Sequence, residues 1–266
     1  MRNQGPNNDF VHVTEISGDT VSREQIERMI TRYSFAKRYC TNRQVVELGC
    51  GSGQGLGYLA GAARTVIGGD YSASLLRLAL NHYKGRIPLV QLDAQKLPIK
   101  DLSIDVVILF EAIYYLESPE QLVYECTRVL RPGGFVLLCN PNKDLPDFNP
   151  SPHSHRYFSA HDFLQLFRPV GFEVECFGDC AVDYGNPKQR FLSFVKRTMV
   201  RLDLMPKTMA GKKLFKRIVF GKLVPMPSEL NEHDDGTCTM PSSIDSGNTD
   251  VCHKVIFAVA QKRTPL

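Results

Sequence analysis

From Gln44 to Asn140, short apolar runs alternate with stretches of helical spacing, the pattern of βαβ units around a parallel sheet buried on both faces. The first run, Val45 to Leu48, breaks into a glycine cluster from Gly49 to Gly55. Runs at Thr65 to Asp70, Pro88 to Asp93, Ile104 to Phe110 and Phe135 to Cys139 predict further strands, the last entered through the turn Arg131-Pro132-Gly133-Gly134. Leu75, Leu76, Leu78 and Ala79 mark one crossover helix. Leu122, Val123, Cys126, Val129 and Leu130 mark another, with Ser118 as cap and Pro119 and Glu120 in the first turn. Ser22 to Tyr39 reads as an amphipathic helix leaning on the sheet. A helix near Ala160 to Phe167, a strand Phe172 to Phe177 and a seventh strand His253 to Ala260 complete the pattern.

The last two strands are separated by about 75 residues, too many for a plain loop in a compact domain. Four regions follow: an N-terminal helical segment (1–43), a core (44–177), an inserted cap or substrate region (178–250) and a final core strand (251–266). Eleven Lys and Arg between Lys188 and Lys222 face a single acid, Asp203, whereas Glu229, Glu232, Asp234, Asp235, Asp245 and Asp250 follow. Beside the basic residues runs the apolar stripe Phe191, Leu192, Phe194, Val195, Met199, Val200 and Leu202. It fits a core-packed helix with a solvated basic face, a lid, or an interfacial helix making peripheral contact with an anionic membrane.

Composition adds bounds. The 266 residues suffice for one large core with an insert, and 43% apolar with 23% charged residues is the balance of an ordinary globular protein. Met1 to Asp9 is polar, with no apolar stretch of a secretory signal, and no run approaches the roughly 20 residues of a membrane span. Eight dispersed cysteines, several inside apolar strands, read as reduced thiols, so a cytoplasmic location is expected. Cys176 and Cys180 lack a second Cys/His pair at zinc spacing, and no metal is expected.

The glycine cluster sits where a strand turns into a helix, and glycine there lets backbone amides approach a ligand. A dinucleotide fingerprint needs glycine at position 54 or 56, where Gln54 and Leu56 stand. What stands instead is E-x-G-x-G-x-G: Glu47, Gly49, Gly51, Gly53. This resembles the first motif of the class I S-adenosylmethionine (SAM)-dependent methyltransferases. Ile67 to Ser72, Asp93 to Pro98, Ser103 to Val107 and Leu130 to Gly134 resemble the later motifs of that family in order and spacing. The match spans roughly Tyr33 to Phe177.

The resemblance implies an α/β, Rossmann-like fold with a mostly parallel seven-stranded sheet flanked by helices, the cap inserted between the last two strands. It also implies a site for SAM, with S-adenosylhomocysteine as product. The loop of Gly49, Cys50, Gly51 and Gly53 would approach the amino-acid moiety and ribose of the cofactor, with Glu47 orienting the loop or meeting the cationic end, and Asp70 would accept from the ribose hydroxyls. Tyr71 would pack on one side of the adenine, Asp93 and the backbone of Ala94 would read its edge, and Ser72 and Phe110 would belong with the cofactor-binding residues. Arg32 and Tyr33 resemble a helix that closes over the cofactor carboxylate.

SAM carries its own leaving group, so the enzyme aligns the acceptor and, for a hydroxyl, removes a proton. Candidates for that step are Glu111, Tyr114 and Tyr115 after the fourth strand, and His153, His155 and Tyr157 in the polar loop after the fifth; His161 falls in the next helix's first turn. O-methylation of a metabolite or sugar is expected, the basic cap favouring an anionic or carrier-linked acceptor; N- and C-methylation stay open. Nucleic acid is not expected, because Phe110-Glu111-Ala112-Ile113-Tyr114 replaces the Pro-Pro-aromatic run that amino-base methyltransferases carry. Two other classes compete: a non-catalytic SAM-binding interaction module, and an NAD-dependent oxidoreductase, which the glycine spacing disfavours.

Overall fold

The computed structural model describes residues 16–151, 153–182, 223–231 and 239–264. Helix α1 (Arg23–Cys40) opens with a full capping box: Ser22 accepts from the Gln25 amide while the Gln25 side chain reaches back to the Ser22 amide. A short strand, β1 (Thr20–Ser22), precedes it. Then follow β2 (Gln44–Leu48), α2 (Leu56–Ala60), β3 (Thr65–Asp70), α3 (Ala73–Tyr83), β4 (Leu89–Gln91), β5 (Ile104–Phe110), α4 (Pro119–Val129) and β6 (Leu130–Pro141). The chain continues through α5 (Ala160–Phe167), β7 (Phe172–Ala181), β8 (Leu223–Pro225), β9 (Ser242–Ile244) and β10 (His253–Lys262).

The main sheet runs β4-β3-β2-β5-β6-β10-β7-β9. Strands β2 to β6 pair in parallel, while β10 inserts antiparallel between β6 and β7. Both faces are covered, and strand side chains divide by parity. Val106, Ile108 and Phe110 join the core under α1, α2 and α3; Val107 and Leu109 join the one under α4 and α5. The same alternation on β10 sends Val255, Phe257 and Val259 to one side and Ile256, Ala258 and Ala260 to the other. Chain order reverses between β2 and β5, and the crevice outside strand carboxyl ends at such a point is where open α/β sheets bind ligands.

Several expectations change. Among the described residues the sheet has eight strands rather than seven, because β9 adds a short antiparallel edge on β7 at Cys176, Phe177 and Gly178. Strand β7 runs on to Ala181, so residues 178–181 belong to the core rather than to the insert: Asp179 pairs with Val255 and Ala181 with His253. Strand β6 starts at Leu130 and takes in the turn Arg131 to Gly134. Ser118 makes no side-chain cap; its amide instead donates to Gln95 Oε1 at 2.7 Å. In the returning limb of the insert, β8 pairs antiparallel with β1 in a small second sheet. The basic half of the expected cap, with its apolar stripe, lies outside the described residues. Among the described residues, no helix is long and apolar enough to cross a membrane.

Candidate active site

A cavity of about 880 Å³ opens at the carboxyl ends of β2, β3, β5 and β6. The strand ends contribute Glu47, Gly49, Cys50, Gly51, Asp70, Tyr71, Phe110 and Glu111, and the loop after β4 adds Asp93 and Ala94. One face of α1 supplies Gln25, Arg28, Met29, Arg32 and Tyr33, residues three or four apart and therefore stacked along the helix. Tyr114, Tyr115, His153 and His155 form the far wall, joined by Asp179 of β7 and Lys254 of β10.

Two residues expected to touch a ligand do not line the cavity. Gly53 has φ +87°, and a Cβ there would come within 2.9 Å of the Tyr83 ring; its carbonyl accepts from the Tyr83 hydroxyl at 2.6 Å. Ser72 is buried as the N-cap of α3, accepting from the Leu75 amide. Both shape the loop from behind. Tyr157 also stays out of the wall, stacked on Tyr114 with centroids 4.5 Å apart. Gln25, Arg28, Asp179 and Lys254 are wall residues that no motif announces, although the helical spacing of Gln25, Arg28 and Arg32 on a face otherwise buried was a usable signal.

The glycine loop is held by charge and by ring contacts. Asp70, almost fully buried, accepts from the Gly51 amide through one oxygen and from the Ser72 amide through the other, both at 2.8 Å. Asp70 is itself part of the cavity wall. Asp70→Ala is therefore expected to weaken S-adenosylhomocysteine binding about tenfold and to destabilise the fold by about 1.5–3 kcal/mol, since bonds to a charged acceptor are lost with it. Calorimetry paired with urea unfolding checks both; unchanged affinity would remove Asp70 from the ligand site.

Glu47 lies on β2 with 2% of its surface exposed. Tyr33 donates to its Oε1 at 2.5 Å, while Oε2 is buried with no hydrogen-bond partner among the described residues. Burial pushes the Glu47 carboxyl up to about 7, against the pull of the Tyr33 hydroxyl and of Arg32. The Tyr33 phenol is driven well above its ordinary value, by burial first and by Glu47 second. Arg28 Nε, on the same α1 wall, is likewise buried with no hydrogen-bond partner among the described residues.

Glu111 follows β5 directly and takes φ +51°, a left-handed conformation that stores strain in a residue with a side chain. Its amide donates to the Cys139 carbonyl at 3.0 Å, which fixes the turn. Its carboxylate lies 3.6 Å from Arg32 Nη1 and accepts from the Tyr114 hydroxyl at 3.1 Å. Tyr114 is raised far above the usual phenol range, chiefly by burial and then by Glu111. Tyr115 is raised more modestly, again by burial first. His153 and His155 sit exposed at the rim, the His155 amide donating to the Tyr114 carbonyl at 2.8 Å. Glu111 is thus the candidate embedded among the wall's side chains, whereas the two histidines face solvent.

Comparison with known proteins agrees with this geometry. The family described as "Methyltransferase domain" matches residues 46–138, from β2 into β6. A probable S-adenosylmethionine-dependent methyltransferase of Mycolicibacterium smegmatis is 39% identical over 152 residues, covering 54% of this chain and 57% of that protein. A fatty-acid O-methyltransferase of the same organism is 32% identical over 131 residues, covering 45% and 48%. The chain spans about half the length of these curated relatives. Among solved structures, the YcgJ protein of Bacillus subtilis superposes with a TM-score of 0.57 at 17% identity, over 90% of this chain and all of that one, a likeness of fold. By its motifs, its sheet and these relatives, the chain is similar to the SAM-dependent methyltransferases, with the methyltransferase domain matching residues 46–138.

Proposed function

We propose that the protein binds SAM in this cavity and transfers its methyl group to a hydroxyl oxygen of a small molecule. The observation that carries the reading is Glu47 Oε2, a buried carboxylate oxygen with no protein hydrogen-bond partner among the described residues, beside a loop whose backbone can admit a ligand. A buried acceptor left unpaired is costly, and the ammonium of an amino-acid moiety satisfies it. Asp70, a carboxylate in the cavity wall, suits a ribose diol. Tyr71, Leu75, Leu92 and Asp93 also line the cavity, a set of apolar and polar groups that suits adenine.

When bound, SAM supplies a methyl carbon already attached to a good leaving group. The chain's work is then to align the acceptor, exclude water and take the hydroxyl proton. Glu111 is the proton acceptor in this reading, held by Arg32 and Tyr114; His153 and His155 touch the acceptor at the rim. An oxygen acceptor is also what the name of the fatty-acid O-methyltransferase relative states of that protein. Arg28, Arg32 and Lys254 in the wall are outnumbered by Glu47, Asp70, Asp93, Glu111, Glu117 and Asp179, so the lining suits a polar, hydroxylated acceptor without demanding a strongly anionic one. The free, buried thiols of Cys40, Cys50, Cys126, Cys139 and Cys176 fit a reducing cytoplasm.

Calorimetry with S-adenosylhomocysteine, with NAD as control, tests the cofactor; binding of NAD alone would overturn it. Transfer of labelled methyl from SAM to a panel of hydroxylated, carboxylic and amine acceptors tests the acceptor. A label stable to alkali and attached to oxygen is expected. Label released by alkali marks a methyl ester, hence a carboxylate acceptor, and overturns the hydroxyl assignment. Binding of S-adenosylhomocysteine with no turnover across the panel would favour a non-catalytic binding module.

A further inference from the structure

The returning limb of the insert grips the glycine loop from outside the cavity. The Leu230 amide donates to the Gln54 carbonyl at 2.8 Å, and Gln54 is part of the cavity wall. Ser17 bridges two partners: its amide donates to Ser52 Oγ at 3.4 Å, and its hydroxyl lies 2.7 Å from Ser228 Oγ. Met226 and Leu230 are buried in the same core cluster as Tyr33, Cys50 and Leu56.

Glu229 is the centre of this grip. A Cβ on Gly57, in the first turn of α2, would stand 1.7 Å from Glu229 Oε1, so the carboxylate lies flat on a backbone position that only glycine leaves open. The other oxygen, Oε2, is 2.6 Å from His82 Nε2 and 2.8 Å from Arg86 Nη2. The next residue, Tyr83, works on the inner side of the same turn, accepting from the Gly57 amide at 2.9 Å and donating to the Gly53 carbonyl at 2.6 Å. Consecutive residues of α3 therefore hold the loop through two routes, one direct and one through the insert.

We propose that Glu229 is a positioning residue for the cofactor, clasping the glycine loop so that the insert's returning limb and the loop close as one unit. The proposal rests on the SAM reading of the cavity. Glu229 does not line the cavity, so its effect on the ligand runs through the loop's population of closed states. If release of the clasp leaves about one tenth of molecules with a competent loop, the dissociation constant rises about tenfold.

The test is calorimetry of the full chain with S-adenosylhomocysteine for the wild type, Glu229→Ala, Gly57→Ala and the double variant. Each single change is expected to raise Kd about tenfold at unchanged stoichiometry. The three atoms nearest a new methyl at position 57 all belong to Glu229, so the double variant should bind no more weakly than Glu229→Ala. A merely structural role lowers stoichiometry and Tm while the folded fraction keeps its Kd, and that result overturns the proposal; so does strict additivity. Should Glu229→Ala yield no folded protein, Arg86→Leu loosens the same grip from an exposed side chain and should raise Kd several-fold; an unchanged value overturns the clasp. A wild type that binds no S-adenosylhomocysteine overturns the SAM reading, and the clasp with it.

Discussion

Glu47→Gln is expected to weaken S-adenosylhomocysteine binding at least about a hundredfold and, at the same time, to make the unliganded protein more stable above pH 7. The first effect follows from pairing: a buried carboxylate facing a ligand ammonium contributes several kcal/mol, and an amide in its place leaves the ammonium without a counter-charge. The second follows from linkage. Burial raises the Glu47 carboxyl from 4.5 to about 7 in the folded protein. Between those values the folded state holds a proton that the unfolded chain has lost, so this group's contribution to stability falls as pH climbs from about 4.5 to about 7. Above that window the ionised, half-paired carboxylate is a fixed penalty on the order of 3 kcal/mol, at about 1.4 kcal/mol per pKa unit. Glutamine never ionises and keeps an acceptor for the Tyr33 hydroxyl, so the variant should gain about 1–3 kcal/mol at pH 8 and almost nothing at pH 4.5. Urea unfolding at both pH values decides it; a difference that does not grow with pH sinks the claim. In the wild type the proton must leave before an ammonium can pair, so S-adenosylhomocysteine affinity should drop by up to about tenfold for each pH unit below 7.

The conflict inside Glu47 explains what was legible in the sequence and what was not. Strands β2, β3 and β5 were readable because their burial on both faces demands uninterrupted apolar runs; the capping box of Ser159 and Asp162 that starts α5 emerged only in the structure. Glu47, Asp70 and Asp93 stand where polar groups interrupt that logic at strand ends, so they were visible as exceptions. Strands β1, β8 and β9 have three residues each, too few for alternation to emerge. They form only because tertiary packing brings their partners alongside, Val224 beside Val21 and Ile244 beside Cys176.

The same limit applied to the site. Motif spacing suggested that all three glycines of the loop approach the cofactor, yet Gly53 is spent on Tyr83, thirty positions away. Asp179, Lys254 and Glu229 reach the cavity or its loop from segments beyond the family match, and no local pattern around them differs from an ordinary strand end or turn. The α1 face was the exception: Gln25, Arg28 and Arg32 are polar at the spacing of a buried stripe, which is the mark of a helix packed against something other than apolar core.

Glu111→Gln is expected to lower kcat by about 10²–10³ with a hydroxyl acceptor while S-adenosylhomocysteine affinity stays within about twofold, the split produced by losing a group that acts on the reaction rather than on cofactor binding. The amide is nearly isosteric and still accepts from the Tyr114 hydroxyl, so the wall keeps its shape and only the capacity to take a proton is lost. Backbone conformation supplies an independent check. Glu111 has φ +51°, and glycine adopts that region without a Cβ clash. Glu111→Gly should therefore stabilise the protein by up to about 1 kcal/mol and still lose turnover, because the strain is borne by the residue the chemistry needs. Loss of stability in Glu111→Gly would mean that its bonds to Arg32 and Tyr114 outweigh the strain. Undiminished turnover in Glu111→Gln, with collapse in His153→Ala or His155→Ala, would move the proton acceptor to the exposed rim. If Glu111→Gln stays active and neither histidine variant loses turnover, no base is needed, and the acceptor oxygen is one that is already ionised when it binds.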